Sequence, residues 1–306
     1  LGLAIDDLAR STANNRAANM VVVGALAYLV DMSKASLEKF VEQRFSRGRS
    51  TDAEIIRSNI MAINLGWEHI SQVGFALGEL APPEMPEDAQ LMLKGNEAVA
   101  LGALAGGLEF YVGYPISPAS AILIYLERNL VGPEKFAYQV SSEIEAMTAL
   151  LGGGFAGRKS MTATSGPGIS LMSEGLGLAW MAEIPCVVVD VQRAGPATGL
   201  PTKTEQSDLM ACMYPAHGDV QLPIIAAGTV EECFYGAVTA LNWAERYQGP
   251  VILLTEMTLA ERVQNIPMPD LSKLEVTNRK VYQGANNYHR YAGQELSPMP
   301  IPGSPG

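Results

Sequence analysis

The chain has 306 residues, 48% of them hydrophobic and only 17% charged, with a formal net charge of −11. That length suits about two domains, and an acidic balance without any Lys/Arg-rich run excludes a nucleic-acid surface, which needs clustered cations against phosphate. No apolar run reaches the ~20 residues that span a bilayer, and no basic segment followed by an apolar one marks a signal peptide, so no membrane association is expected.

Residues 1 to about 80 read as mostly helical. Asn19 to Leu29 is an apolar helix. Ser36, with Glu38 soon after, suits a helix start. Arg47 to Ser50 is a turn, and Ala53 to His69 carries Ile55, Ile56, Ile60, Ile63 and Leu65 at helical spacings. Nothing here points to chemistry, and packing or assembly is the expected role. Ala81-Pro82-Pro83-Glu84-Met85-Pro86-Glu87-Asp88 is a linker, because its prolines remove backbone donors. The main boundary is expected there, over 81–90.

Beyond it the pattern alternates. Helices are expected at Gly95–Gly106, Ala119–Asn129, Glu143–Ala156, Ser170–Met181 and Val230–Tyr247. Short apolar strands are expected at Leu108–Gly113, Phe136–Val140, Ser160–Ala163, Cys186–Val191, Pro223–Ile225 and Val251–Leu254. Such alternation predicts βαβ units, hence an α/β fold with a parallel sheet flanked by helices on both faces. From Asp270 the periodicity is lost, and 270–306 reads as a connector. A start at Leu1 and a Pro-Gly-rich end suggest a fragment open at both ends. The low charge content fits large subunit contacts, whose centres are depleted in charge, or a large core under a small surface.

Cys186, Cys212 and Cys233 form no C-x-x-C pair. A cluster needing four thiolates is not expected on this chain, and sparse cysteines suit a reducing, cytoplasmic compartment. His69, His217 and His289 show no metal-ligand spacing.

Four segments fall at expected strand carboxyl ends, where open α/β sheets bind ligands. Gly113 to Ser120 carries two prolines, which fix the loop. It either presents Ser117 to a ligand or only caps the next helix with Ser117 or Ser120. Ser141 to Ala146 places Glu143 at a helix start. That is a common place for an acid on dipole grounds, but the helix that follows is small and apolar, and a buried carboxylate there needs a partner. Thr162 to Ser170 combines hydroxyls and glycines, reading equally as a cofactor-approach loop or a tight turn. It matches no nucleotide-binding pattern. Asp190 to Asp208 is a long, glycine-broken polar loop, the kind that is usually functional. Its Arg193 is well placed to clamp a carboxylate.

Taken in order, these segments resemble the 2-oxoacid:ferredoxin oxidoreductases, most closely the fused gamma–alpha subunit of the 2-oxoglutarate type. Tyr114 to Ser120 resembles the family's Y-P-I-T-P-S loop. Thr162 to Leu178 resembles T-S-T-S-G-P-G-x-S-L-M-x-E-G-L-G-L, and Asp190 to Leu209 resembles D-V-Q-R-x-G-P-S-T-G-x-P-T-K-T-E-Q-S-D-L. The resemblance covers nearly the whole chain. It implies that 1–80 is the C-terminal part of a gamma-type domain, that 91–269 is a thiamine-diphosphate pyrimidine-type domain, and that 270–306 leads to an absent C-terminal region.

The resemblance also implies an activity: oxidative decarboxylation of a 2-oxoacid, 2-oxoglutarate favoured, to acyl-CoA and CO2, with electrons passed to ferredoxin. Thiamine diphosphate would be shared with a beta subunit that holds its Mg²⁺ and a 4Fe–4S cluster, in an (alpha–beta)2 assembly, with coenzyme A as co-substrate. Glu143 matches the glutamate that hydrogen-bonds the aminopyrimidine ring, with Ser165, Gly166, Pro167 and Gly168 beside the cofactor. Arg193 matches a carboxylate-binding arginine and Thr202 a substrate-pocket threonine. Lys203 is a candidate for a distal carboxylate. Tyr114, Pro115, Ile116, Ser117 and Pro118 form the substrate loop, with Ser117 replacing the family's Thr. Pyruvate or another 2-oxoacid, a different thiamine enzyme, and a non-catalytic assembly subunit are the alternatives.

Overall fold

A computed structural model describes residues 2–75, 77, 89–284, 288–291, 293 and 295–303. The expected linker core at 81–88 and Asn286-Asn287 lie outside the described residues. The chain divides into two units, Leu1–Met85 and Pro86–Gly306.

The first unit is helical. α1 spans Ile5–Ser11, α2 Ala18–Leu29, α3 Lys34–Phe45 and α4 Asp52–Val73. Ser33 rather than Ser36 caps α3, accepting from the Ser36 backbone N–H. The expected start was one turn late because Lys34 and Ala35 give no apolar signal of their own. The Arg47–Ser50 turn is held by Asp52, whose Oδ2 accepts from the Arg47 and Arg49 backbone N–H groups at 2.6 and 3.0 Å. α4 outruns the expected end at His69 and stops at Gly74, whose left-handed conformation ends the helix. α2 and α4 pack backbone to backbone. A Cβ on Gly24 would sit 2.0 Å from the Ile63 carbonyl oxygen, and one on Gly66 1.9 Å from that of Val21.

The second unit is the expected α/β fold. Its strands are β1 (Gln90–Lys94), β2 (Phe110–Gly113), β3 (Phe136–Gln139), β4 (Ser160–Thr164), β5 (Cys186–Gln192), β6 (Ile224–Ala226), β7 (Pro250–Glu256) and β8 (Val263–Pro267). Its helices are α5 (Gly95–Ala105), α6 (Ser120–Asn129), α7 (Glu143–Phe155), α8 (Gly166–Met181), α9 (Leu209–Met213), α10 (Val230–Tyr247) and α11 (Met257–Glu261). Six strands form a parallel sheet in the order β3-β2-β4-β5-β7-β6.

β5 is buried at every position, as a central parallel strand covered on both faces must be. Its side chains alternate between two cores. Val187, Val189 and Val191 join residues of α5, α6 and α10, while Cys186 and Val188 join those of α7, α8 and α9.

Three features were not expected. β1 and β8 form a separate antiparallel pair. Short helices α9 and α11 follow the loops after β5 and β7. α8 begins at Gly166 rather than Ser170, so the glycine-proline segment is its first turn; proline there lacks only an N–H that has no intrahelical partner anyway.

The segment after Asp270 has little regular structure but is tied down by side chains. Arg279 is buried and hydrogen-bonds the Glu245 carboxylate. Its Nη1 also donates to the Gly154 carbonyl at 2.6 Å and its Nη2 to that of Arg158 at 3.0 Å. Arg290 pairs with Glu183 at 2.6 Å.

Candidate active site

All six strands of the sheet run parallel, so their carboxyl ends share one edge. β3, β2, β4 and β5 are successive neighbours, and each of the four suspected segments follows one of them. The edge is thus lined, in order, by Ser141–Glu143, Tyr114–Pro118, Ser165–Gly168 and Arg193–Asp208.

Glu143 opens α7 and is 7% exposed. The ordinary first-turn duties fall to its neighbours. Ser142 caps the helix by accepting from the Glu145 N–H, and Glu145 accepts from the Ser141 backbone N–H and hydroxyl at 2.8 and 2.6 Å. Among the described residues the Glu143 carboxylate has no hydrogen-bond or ion-pair partner. A carboxylate so placed is left to take a donor from outside the chain.

Gly168 explains the local packing. A Cβ there would lie 1.9 Å from Thr164 Oγ1 and 2.9 Å from Glu143 Cγ. The first turn of α8 therefore presses directly on the strand end and on the Glu143 stem. Gly166 does the same for Asp208, whose carboxylate oxygens lie 2.7 and 2.8 Å from its hypothetical Cβ. The hydroxyls of Thr162, Thr164 and Ser165 are buried along this edge without a protein partner.

Arg193 directly follows β5 and is 6% exposed. Its Nη1 donates to the Ser117 carbonyl at 2.7 Å and its Nη2 to the Thr198 carbonyl at 2.8 Å. Its Nε is buried without a partner. The expected fork toward a carboxylate is thus partly engaged in tying the two loops together, with further N–H donors remaining.

The other predicted residues separate by exposure. Tyr114 packs against the α7/α8 core and Ile116 against the α5/α10 core. Pro118 is buried and its carbonyl accepts from Asn96 Nδ2 at 2.8 Å, while Pro115 and Ser117 are exposed. Thr202 and Lys203 are exposed. Lys203 contributes its carbonyl, which accepts from the Ala194 N–H at 2.8 Å, and its ammonium makes no ion pair among the described residues. The Ser117–Pro118 and Gly195–Pro196 bonds are cis.

Sequence reasoning missed Gln192, whose amide donates to the Thr255 carbonyl at 3.1 Å and accepts from the Asp208 N–H at 3.0 Å. It also missed the contact between Asp190 and Asp208, and the Asp190 bond to Cys212. A cavity of about 700 Å³ in the first unit, lined in part by Arg16, Arg47, Arg49 and Arg57, contains none of the predicted site residues. The sequence pattern marks Arg47 to Ser50 only as a turn.

Comparison with known proteins adds the following. Residues 101–303 match the family model "Pyruvate flavodoxin/ferredoxin oxidoreductase, thiamine diP-bdg", and residues 1–69 match "Pyruvate ferredoxin/flavodoxin oxidoreductase". The chain is 35% identical over 306 residues to the 2-oxoglutarate oxidoreductase subunit KorA of Mycobacterium tuberculosis, covering 95% of this chain and 45% of that protein. It is 38% identical over 210 residues to a 2-oxoglutarate synthase subunit KorA of Methanocaldococcus jannaschii, covering 68% of this chain and 57% of that one. A solved 2-oxoglutarate:ferredoxin oxidoreductase from Magnetococcus marinus, with 2-oxoglutarate, coenzyme A and succinyl-CoA bound, superimposes with a TM-score of 0.85 at 40% identity. The match covers 98% of this chain and 52% of that one. The chain thus spans about half the length of the relatives it matches.

Proposed function

Because the chain belongs to the 2-oxoacid:ferredoxin oxidoreductase family and resembles its alpha subunits, we propose that it forms the pyrimidine-side half of a thiamine-diphosphate site. In the whole protein that site oxidatively decarboxylates a 2-oxoacid, 2-oxoglutarate favoured, to acyl-CoA and CO2, with electrons passed to ferredoxin. The observation that carries this reading is the Glu143 carboxylate, buried at a strand-end helix start with its local capping duties taken by Ser142 and Glu145. An unpartnered buried carboxylate fits a ligand that brings its own N–H donor, which an aminopyrimidine does.

Thiamine diphosphate, when bound, supplies the electron sink for decarboxylation. The chain's residues do the rest of the positioning. Glu143 would accept a hydrogen bond from the ring's N–H. Gly168 lets α8 approach closely enough to hold the Glu143 stem. Ser165 to Gly168 and the orphaned Thr164 and Ser165 hydroxyls would line the ring's side of the site. Arg193 braces the Tyr114–Pro118 loop through Ser117 and directs its remaining donors at the substrate carboxylate. Thr202 and Lys203, exposed in this chain, are available to a distal carboxylate.

A beta subunit completes the site, bringing Mg²⁺ and a 4Fe–4S cluster, in a cytoplasmic (alpha–beta)2 assembly. Support comes from the apolar surface beside the long loop, where Leu200, Leu209, Met210 and Tyr214 are 48 to 63% exposed. Exposed apolar patches of this kind mark contact surfaces.

The test is to co-express the intact subunit with its beta partner and measure 2-oxoacid- and coenzyme-A-dependent reduction of ferredoxin or a viologen dye. Glu143→Gln is expected to abolish turnover with every acid, and Arg193→Ala mainly to raise KM. An unimpaired Glu143→Gln enzyme, or a wild type inactive with pyruvate, 2-oxoglutarate and branched or aromatic 2-oxoacids, refutes the reading in favour of a non-catalytic assembly subunit.

A further inference from the structure

Two acidic side chains meet inside the sheet edge and have no part in the reading above. Asp190, in β5, is fully buried. Its Oδ2 accepts from the Cys212 thiol at 3.3 Å, while its Oδ1 is buried without a protein partner. Asp208 closes the loop that Arg193 opens. Its Oδ2 is also buried and unpartnered, and its carboxylate lies against Asp190 on one side and Gly166 on the other.

Two buried carboxyls that face each other, each with an orphaned acceptor oxygen, hold one proton between them, since neighbouring buried carboxylates do not both ionise. Asp190 is the natural holder of that proton. Burial, and after it the negative charge of Asp208, push its carboxyl well above the usual carboxylate range. Asp208 is raised by burial and by Glu205, against which the Ser207 and Asp190 hydrogen bonds favour its ionised form. The remaining facing group is the Cys212 thiol of α9, which burial pushes up so that it stays a donor. From α8 the pair meets the amino end of the helix, which favours an anion on Asp208.

The geometry points to Asp190 and Asp208 as a proton-sharing pair that positions Arg193, by pinning the returning end of the 193–208 loop to β5 and α8. The loop leaves β5 at Gln192 and comes back at Asp208, where the Gln192 side chain receives the Asp208 N–H at 3.0 Å. Between these points it is mostly exposed, with an internal tie from the Gly195 N–H to Glu205 at 2.9 Å and an outside one, at the exposed surface, between the Thr204 hydroxyl and that of Thr258 in α11 at 2.6 Å. Its anchorage therefore rests heavily on its closing residue. The catalytic consequence rests on the role of Arg193 proposed above, whereas the shared proton and the pinning do not.

The experiment compares wild type, Asp190→Asn and Asp208→Ala in the intact subunit with its beta partner, over a range of pH. Infrared spectroscopy reads the protonated carboxyl, hydrogen–deuterium exchange reads residues 195–207, and steady-state kinetics separates KM from kcat. Wild type is expected to show a protonated-carboxyl band near neutral pH that Asp190→Asn removes. Exchange in the wild-type loop rises as the pair loses its proton. In Asp190→Asn the loop stays protected at every pH and KM is unchanged, because the amide donates in place of the acid. Asp208→Ala, which leaves Asp190 protonated in the core, raises loop exchange roughly tenfold or more, as expected for losing a hydrogen bond to a charged group, and raises KM with little change in kcat. Absence of the band, or an Asp208→Ala loop that exchanges like wild type, overturns the proposal. If band and exchange behave as expected but no 2-oxoacid is turned over, the pair stands and the proposed function fails.

Discussion

Gly168→Ala tests how the site is built. The added methyl would lie 1.9 Å from Thr164 Oγ1, 3.1 Å from Thr164 Cβ and 2.9 Å from Glu143 Cγ. Ordinary carbon contacts are about 3.5–4.0 Å, so Thr164 must move by well over an ångström or the first turn of α8 must lift. Thr164 is buried within a parallel sheet, so the helix and the Glu143 stem have to yield. Overpacking of this kind costs about 1–3 kcal/mol, occasionally more, which for a unit of this size lowers Tm by roughly 2–12 °C. Turnover should fall by more than that stability loss implies, because the displaced groups include the carboxylate. Thermal melts and the coupled 2-oxoacid assay on the co-expressed complex measure both effects. Thr164→Ala removes the oxygen that clashes most, so the double variant should recover part of the loss, giving a favourable coupling energy between neighbours. A Gly168→Ala protein with wild-type Tm and turnover, or a double variant merely additive, would refute the packing argument.

Three other outcomes are expected. Arg279→Met leaves the Glu245 carboxylate buried and largely unpaired, both side chains being under 5% exposed, and should destabilise by about 3–5 kcal/mol. Arg279→Met with Glu245→Leu should regain much of that, as read by denaturant unfolding. Gly66→Ala drives a methyl into the Val21 carbonyl oxygen at 1.9 Å and should separate α2 from α4, seen as faster amide exchange in both helices while the parallel sheet is unaffected. The raised Asp190 carboxyl makes stability fall as pH rises. Below the usual carboxylate range both folded and unfolded chains hold the proton. Above it the unfolded chain ionises first, so stability declines, by about 1.4 kcal/mol per pH unit for one proton, until the folded carboxyl itself ionises. Asp190→Asn should flatten that slope in melts run across pH, and equal slopes would contradict the assignment.

The parts of this structure legible in the sequence are those set by local pattern. The run of Cys186, Val187, Val188 and Val189, with Val191 after it, made β5 recognisable as a central strand, and the glycine-broken polar stretch behind it marked the loop. The parallel sheet then put the four suspected segments on one edge. What stayed hidden depends on contacts between distant residues. β1 is half-exposed, with Met92 74% exposed, so no alternation announced its pairing with β8. Asp190 looked like one more polar residue opening a loop, because nothing local shows that Asp208 returns to it. Arg193 could be assigned a carboxylate, but not the Ser117 and Thr198 carbonyls it holds, since both depend on how two loops meet. The extent of α8 was misjudged because glycine and proline read as a loop, although both are tolerated in a first turn where a helix presses on its neighbours.

The position of β5 has a consequence for how the chain is made. Its neighbours are β4, synthesised before it, and β7, synthesised well after it, and the Gln192 side chain that receives Asp208 is itself held by Thr255, 63 residues downstream. Closing so long a stretch is entropically slow. During synthesis the Arg193 loop therefore emerges before the strand that fixes its base. Until Pro250 to Glu256 arrive, Val187, Val188 and Val189 present an unpaired apolar edge, the kind that recruits strands from other chains. Translation that stalls or terminates in α10 would leave that edge open, so fragments ending there should aggregate while those that include β7 stay dispersed.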